Sequence, residues 1–428
     1  MDFGSEYILD AEEEEEEAED FREDLYYGDY SGFECEIMDL VEEEETETHN
    51  NIKKATTNTV KLEMKKLQEE TDLKIEKSKL VKCKGDSCGA VYSHLSKKDE
   101  EKKVWTCNFC THENDFKAEL PDLSDKSDIM YVDDTSNIPE LIPPDSCKQK
   151  IIFVIDTSSS MCQTKPVKSH SFIHAIIRLS QSQPETRVGL VTFQEDVNVY
   201  GDGSKFVTVQ GDQLKHKDEL VAIGKKESDL RPVHESAASL KEKIALLDEL
   251  GRTALGPALV IAQTMAADVE GSKVILCTDG VANIGLGRLE DITEIEINSF
   301  YSGIITDSLI SGVSVTLICV DNAGLNTRLG QVPTETGGML EKIQATELDA
   351  KLTEELSRAT VAVNTDVSFI VHKDLYVSDT KNPSLRCSTH LQKLGNLQLD
   401  KQVSFSFAFK PSNPQEQPPA QPNSTGTL

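Results

Sequence analysis

Between residues 150 and 360, short aliphatic runs alternate with longer segments of helical composition, and no other feature of the chain constrains the fold as much. The runs at 151–156, 187–193, 273–278 and 313–320 have strand length, and three of them are nearly continuous Val, Ile and Leu. A strand that is apolar on both faces has to be covered on both faces. Segments 166–182, 235–250, 257–269, 289–310 and 345–360 read as helices able to supply that cover, with Pro257 suited to a first helical position. The expected fold class is therefore α/β, with a doubly wound, mainly parallel sheet over residues 150–361.

The flanks differ in kind. Residues 1–50 carry 22 acidic residues and one basic residue, about two-thirds of the net charge of −31, and show no period of 2 or 3.6. Such a segment cannot bury enough apolar surface to order itself, and a disordered acidic tail is expected. Residues 51–80 turn basic, and Leu62, Leu67, Leu73 and Leu80 are too loosely spaced for an amphipathic stripe, so this stretch reads as a helical or flexible linker. A connecting segment is expected over 116–149. Short alternating runs at 366–371 and 403–409 predict a small β module over 362–410, followed by a disordered Pro-, Asn- and Gln-rich tail at 411–428.

The charge balance argues against nucleic acid, because a phosphate backbone needs a basic face. There is no run of the roughly 18 to 20 apolar residues that a membrane-spanning helix needs, and no apolar secretory leader, so direct membrane insertion is not expected and a cytoplasmic protein is. Of ten cysteines, Cys83, Cys88, Cys107 and Cys110 form two close pairs; the rest are scattered, as thiols in a reducing compartment usually are.

The run 151–155 ends in Asp156-Thr157-Ser158-Ser159-Ser160, which sets a carboxylate and two hydroxyls on a loop at the carboxyl end of a central strand, the edge where doubly wound sheets bind ligands. Another run ends in Thr278-Asp279-Gly280, and between the two lies a loop containing Thr253. This order of elements resembles the von Willebrand factor A family, whose adhesion site is built from Asp-x-Ser-x-Ser, a loop Thr and a further Asp. The resemblance implies that Asp156, Ser158, Ser160, Thr253 and Asp279 hold a divalent cation, Mg²⁺ or a similar ion. It also implies an open coordination position that an acidic side chain of a partner protein fills. In the competing reading, Ser158 and Ser160 cap the following helix while Asp156 satisfies loop amides.

Cys83-x4-Cys88 and Cys107-x2-Cys110, eighteen residues apart, suit a tetrahedral thiolate site for Zn²⁺ on two knuckles, giving a zinc ribbon over 81–115. His94 and His112 nearby could substitute as ligands but read rather as surface residues. The stretch Val104-Trp105-Thr106-Cys107-Asn108-Phe109-Cys110, with Asn114 close behind, resembles the zinc ribbon of the COPII inner-coat subunits. In that family a ribbon also precedes an A-type trunk and an associated β-sandwich. The acidic tail and the complete cation set depart from it.

The resulting expectation is a non-enzymatic cytoplasmic adaptor that docks a protein partner through a cation. The alternative is a COPII-coat-like component of vesicle transport with a coat or small-GTPase partner. Four thiols are half of what a RING-type ligase needs, and no catalytic triad, phosphate loop or His-Glu-x-x-His is present.

Overall fold

The computed structural model describes residues 58–63, 74–76, 80–121 apart from 87 and 118, 123, 129–131, 149–160, 165–247, 251–279, 282–290, 292–321, 327–378, 386–398 and 400–410. The acidic segment 1–50 and the tail 411–428 lie outside them.

Strands form early in the chain: β1 (Asn58–Glu63), β2 (Lys74–Glu76), then β3 (Lys97–Asp99), β4 (Val104–Thr106) and β5 (Glu113–Asp115), and β6 (Ile129–Tyr131). β3, β4 and β5 make a small antiparallel sheet around the cysteine pairs, and β2 pairs in parallel with β6. The helical or flexible linker expected over 51–80 is thus corrected at two points, since 58–63 and 74–76 are paired strands.

The central sheet contains β7 (Lys150–Asp156), β8 (Arg187–Phe193), β9 (Val197–Gly201), β10 (Val207–Val209), β11 (Lys273–Thr278), β12 (Ser314–Val320) and β13 (Leu340–Ile343). Their order is β10-β9-β8-β7-β11-β12-β13, parallel from β8 to β13, with β9 and β10 as an antiparallel edge. The helices are α1 (Lys165–Ser182), α2 (Lys217–Lys226), α3 (Val233–Ala245), α4 (Leu255–Ala266), α5 (Glu294–Ser311), α6 (Thr327–Thr336) and α7 (Leu348–Ser357).

The pleat sends successive side chains to opposite faces, and β7 shows what its unbroken apolar run serves. Ile151, Phe153 and Ile155 pack with Phe172, Ile176, Leu240, Ile244 and Leu352 from α1, α3 and α7. Ile152 and Val154 pack on the other face with Leu220, Leu259, Met265, Ile304 and Val332 from α2, α4, α5 and α6. α4 is buried along its whole length, which its all-round apolar sequence requires. Pro257 is the third residue of α4 rather than the first, still within the turn whose N–H groups lack helical partners. α5 opens on a capping box of Thr293 and Glu296 and ends at Gly312 in the left-handed conformation.

After α7 come β14 (Thr360–Ile370), β15 (Leu375–Ser378), β16 (Arg386–Cys387), β17 (Thr389–Gln398) and β18 (Gln402–Phe409). β14 and β17 form a two-stranded antiparallel sheet, and β1-β18-β15-β16 form a four-stranded sheet, the two layers of a small β-sandwich. Phe369, Val377, Leu394, Leu397 and Val403 pack between them. The β module therefore takes a strand from before the cysteine pairs, with Val60 opposite Phe405.

This module is held closely against the central sheet. Asn396 Nδ2 donates to the carbonyl of Gly312 at 2.8 Å, and Gly337, at φ 85°, lies so near that a Cβ there would sit 2.0 Å from the Asn396 carbonyl oxygen. Backbone cannot yield as a side-chain end can. Gly337→Ala is expected to cost about 3 kcal/mol through positive φ and overpacking together. Thermal unfolding should then start roughly 6 to 12 °C lower; an unchanged melting profile would show that the junction is looser than this.

Candidate functional site

β7 and β11 are adjacent and parallel, so their carboxyl ends deliver Asp156 and Asp279 to one edge of the sheet. Asp156 is fully buried. Its Oδ1 accepts from the Ser158 N–H at 2.8 Å and its Oδ2 from the Thr278 hydroxyl at 2.5 Å. Ser158 Oγ and Ser160 Oγ are 3.0 Å apart, and Ser160 Oγ donates to Asp279 Oδ1 at 2.7 Å. Asp156, Ser158, Ser160 and Asp279 are thus linked in one continuous run of polar contacts.

Thr253, which is buried, joins them through its loop rather than through a hydrogen bond to the other four. The Ser159 N–H donates to the Gly251 carbonyl at 3.3 Å, and the Ala254 N–H to Gln194 at 2.8 Å. Asn283 Oδ1 accepts from the Thr253 N–H at 2.9 Å, and the Thr253 carbonyl accepts from Asn283 N–H in return at 3.1 Å.

The electrostatics are those of anions kept from water. Burial pushes the Asp156 carboxyl above the usual range, against the pull of the Ser158 and Thr278 hydrogen bonds, and the Asp279 charge pushes the same way. Half-buried Asp279 is raised by burial too, with Ser160 and Lys168 opposing and Asp321 adding to the rise. Two carboxylates and two hydroxyls, all hard oxygen donors, form a donor set that suits a small divalent cation.

Residues with no part in the sequence pattern complete the site. Lys168 of α1 is buried and donates Nζ to the Asp156 carbonyl at 2.6 Å, fixing the end of β7. The sequence did carry a signal: Lys168, Phe172, Ala175, Ile176 and Leu179 lie on one helical stripe, and a lysine on an apolar stripe implies a buried partner. Thr278 and Asn283 had no such signal.

Forty residues ahead of β7, the four thiols come together, with all their sulfurs within 4.8 Å of one another. Cys83 and Cys110 sulfurs are 3.5 Å apart, Cys88 and Cys107 3.8 Å. A zinc ion at about 2.3 Å from each sulfur gives tetrahedral edges of about 3.8 Å, so the donor set fits Zn²⁺. Burial works against charge on Cys83, but donors from Gly85 N–H, Asn114 Nδ2 and the neighbouring thiols outweigh it and hold the Cys83 thiol below its ordinary value, whereas burial pushes Cys88 up to about 12. Asn114, itself buried, reaches Cys83 Sγ at 3.4 Å and accepts from Lys84 N–H at 2.7 Å, so it orients a ligand sulfur from behind. His94 and His112 stay exposed. Tyr92 and Trp105 meet edge to face at 5.4 Å beneath the cluster.

Comparison with known proteins bears on the fold and on the cysteine region. The family model of the von Willebrand factor type A domain matches residues 151–281, and that of the Sec23/Sec24 zinc finger matches residues 80–119. The chain is similar to Circularly permutated Ras protein 1 of Dictyostelium discoideum, 27% identical over 376 residues covering 78% of this chain and 44% of that protein. It is also similar to Protein transport protein SEC24-2 of Candida glabrata, 24% identical over 215 residues covering 45% of this chain and 23% of that one. The chain therefore spans less than half the length of these curated relatives. In fold it is similar to the human COPII-coat protein Sec24c, with a TM-score of 0.50 and 15% identity over 79% of this chain and 51% of the other. The chain thus carries a von Willebrand factor type A domain, matched over residues 151–281, preceded by a zinc finger of the Sec23/Sec24 kind, matched over residues 80–119.

Proposed function

We propose that the protein is a non-enzymatic, cytoplasmic adaptor that docks a partner through a divalent cation held by Asp156, Ser158, Ser160, Thr253 and Asp279. The contact run from Asp156 through Ser158 and Ser160 to Asp279 carries this reading, because it joins two carboxylates at the ligand-binding edge of the sheet. Without a cation those carboxylates repel one another across a partly dry site. Mg²⁺ bound there would supply Lewis acidity, and the neutral serine and threonine hydroxyls would leave it electrophilic toward an acidic side chain of the partner. Zn²⁺ in the ribbon serves structure, held by Cys83, Cys88, Cys107 and Cys110.

Calorimetric titration of Mg²⁺ into Asp279→Ala and wild-type protein tests the site, and partner capture with and without Mg²⁺, in zinc-containing buffer that keeps the ribbon loaded, tests the docking. Mg²⁺ uptake by wild type alone, with capture lost on Mg²⁺ removal and restored on its return, is the expected outcome. Equal capture in both buffers would overturn the docking role.

A second reading has its own support. The zinc finger match, the likeness to a Sec24 protein and the likeness to a protein named for Ras favour a coat-like role in vesicle transport beside a small GTPase. Co-sedimentation with liposomes carrying a GTP-loaded small GTPase separates the two: a coat-like protein pellets, whereas the adaptor stays in the supernatant.

A further inference from the structure

α1 carries a histidine pair that neither the A domain's cation loops nor the ribbon uses. His170 and His174 are four residues apart, so they stack on one face of the helix one turn apart, and their ring centroids lie 3.9 Å from each other. Asp349, in the first turn of α7, meets His174 from the neighbouring helix, with Oδ1 3.6 Å from His174 Nδ1. All three side chains reach solvent: His170 is exposed, and His174 and Asp349 are each about two-fifths exposed.

We propose that His170, His174 and Asp349 form a second site for a transition-metal ion of the Zn²⁺ class, linking α1 to α7. Imidazole nitrogens one turn apart on a regular helix form a bidentate chelate, and two imidazoles with one carboxylate match the ligand types that Zn²⁺ takes in open sites. Asp349 is already positioned for the role. Arg178 Nη2 donates to its Oδ1 at 2.9 Å, Nη1 approaches its Oδ2 at 3.4 Å, and the Thr353 hydroxyl donates to its carbonyl at 2.6 Å. A carboxylate offers about four lone-pair positions, so it can keep an Arg178 bond while ligating an ion. His170 is exposed, so burial does not block a change of its ring rotamer, and its ring centroid already lies 3.9 Å from that of His174. The nearby guanidinium charge opposes a dication, which limits the site to modest affinity. That cost supplies a distinctive test, because Arg178 supports the helix contact yet hinders the ion.

The ion would also join two parts of the A domain that serve different ends. α1 is the next described element after the loop bearing Asp156, Ser158 and Ser160, and α7 is followed by β14 of the β-sandwich. A metal bridge between them would hold the cation loop's helix and the sandwich junction in one arrangement.

The test uses full-length protein dialysed against micromolar free Zn²⁺ in excess Mg²⁺, with zinc counted by atomic absorption. Wild type is expected to hold one zinc more than its ribbon accounts for. His170→Ala and His174→Ala should lose that extra ion with unchanged circular dichroism. Asp279→Ala should keep it, which separates it from the cation loop. Asp349→Asn should weaken it about tenfold, and Arg178→Gln should tighten it several-fold, a change in the direction opposite to any loss of helix packing. No extra zinc in wild type, or extra zinc that survives His170→Ala with His174→Ala combined, would overturn the proposal.

Discussion

Asp156→Ala is expected to weaken Mg²⁺-dependent partner binding by more than about a hundredfold while the A domain remains folded. Changes to groups that merely orient a metal ligand cost 10- to 100-fold in affinity, so removal of a ligand itself should cost at least as much. The effect on folding is smaller, because two terms oppose each other. Alanine removes the carboxylate acceptor of the Ser158 N–H and of the Thr278 hydroxyl, a loss that costs about 1–3 kcal/mol wherever a buried donor finds no other partner. It also removes a charge that burial already disfavours, which the raised carboxyl of Asp156 makes plain. Asp156→Asn separates the terms: it keeps an acceptor for one donor but not the charge, so it should lose the cation with less disturbance of the loop. Asp279→Ala, at a half-buried position with a hydroxyl as its hydrogen-bond partner, should lose binding with the least effect on melting. If Asp156→Ala gives a native circular dichroism spectrum and binds the partner as wild type does, the cation loop is not the docking site.

What the sequence shows of this fold depends on how local each signal is. β7, β8, β11 and β12 are central strands buried on both faces, so their composition alone marks them. β9 and β13 are shorter and nearer the sheet margins, where half the side chains face outward; Leu340-Glu-Lys-Ile has only two apolar residues. α6 escapes a helix reading because Pro333 stands inside it. β1 illustrates a different limit. Asn-Thr-Val-Lys-Leu-Glu alternates like a strand, but its partner β18 lies some 340 residues on, and nothing local to residues 58–63 distinguishes a sandwich strand from a linker.

The site divides in the same way. Asp156, Ser158, Ser160, Thr253 and Asp279 stand out because each follows a recognisable strand or precedes a recognisable helix. Lys168 and Asn283 do their work across the chain, one on a main-chain carbonyl and one on the N–H of Thr253, and such contacts depend on the tertiary arrangement. The nature of the ribbon was legible from four cysteines, but its attachment to the β-sandwich was not, and that attachment changes what loss of zinc should do.

Cys107→Ser should therefore remove the ribbon's zinc and loosen the β-sandwich with it, while the central sheet stays intact. The ribbon has little else to hold it: its buried cluster is Cys83, Cys88, Ala90, Tyr92, Trp105, Cys107, Leu120 and Leu123, three of which are ligands. Structural zinc in such small modules contributes about 10–16 kcal/mol, as much as the entire net stability of an ordinary domain. Without it the knuckle around Phe109 has no reason to persist. Yet the Phe109 carbonyl accepts from Lys373 N–H at 2.7 Å, the Cys88 carbonyl accepts from the Thr389 hydroxyl at 3.3 Å, and Ile370 packs against the ribbon cluster. Those contacts tie both knuckles to the ends of β14 and β17 and to the turn between β14 and β15. The A domain, in contrast, keeps two large apolar clusters on either face of its sheet that owe nothing to zinc. Limited proteolysis should show cleavage spreading over 80–116 and 360–410 in Cys107→Ser, with residues 150–357 still protected, and atomic absorption should show the ribbon's zinc gone. Asn114→Ala, which removes the donor behind Cys83 but none of the ligands, should weaken zinc about tenfold or more and give the same cleavage pattern only when zinc is scarce. A Cys107→Ser protein whose β-sandwich resists protease as well as wild type would show that ribbon and sandwich fold independently, and zinc-free wild type with full resistance would show that the ribbon does not depend on metal at all.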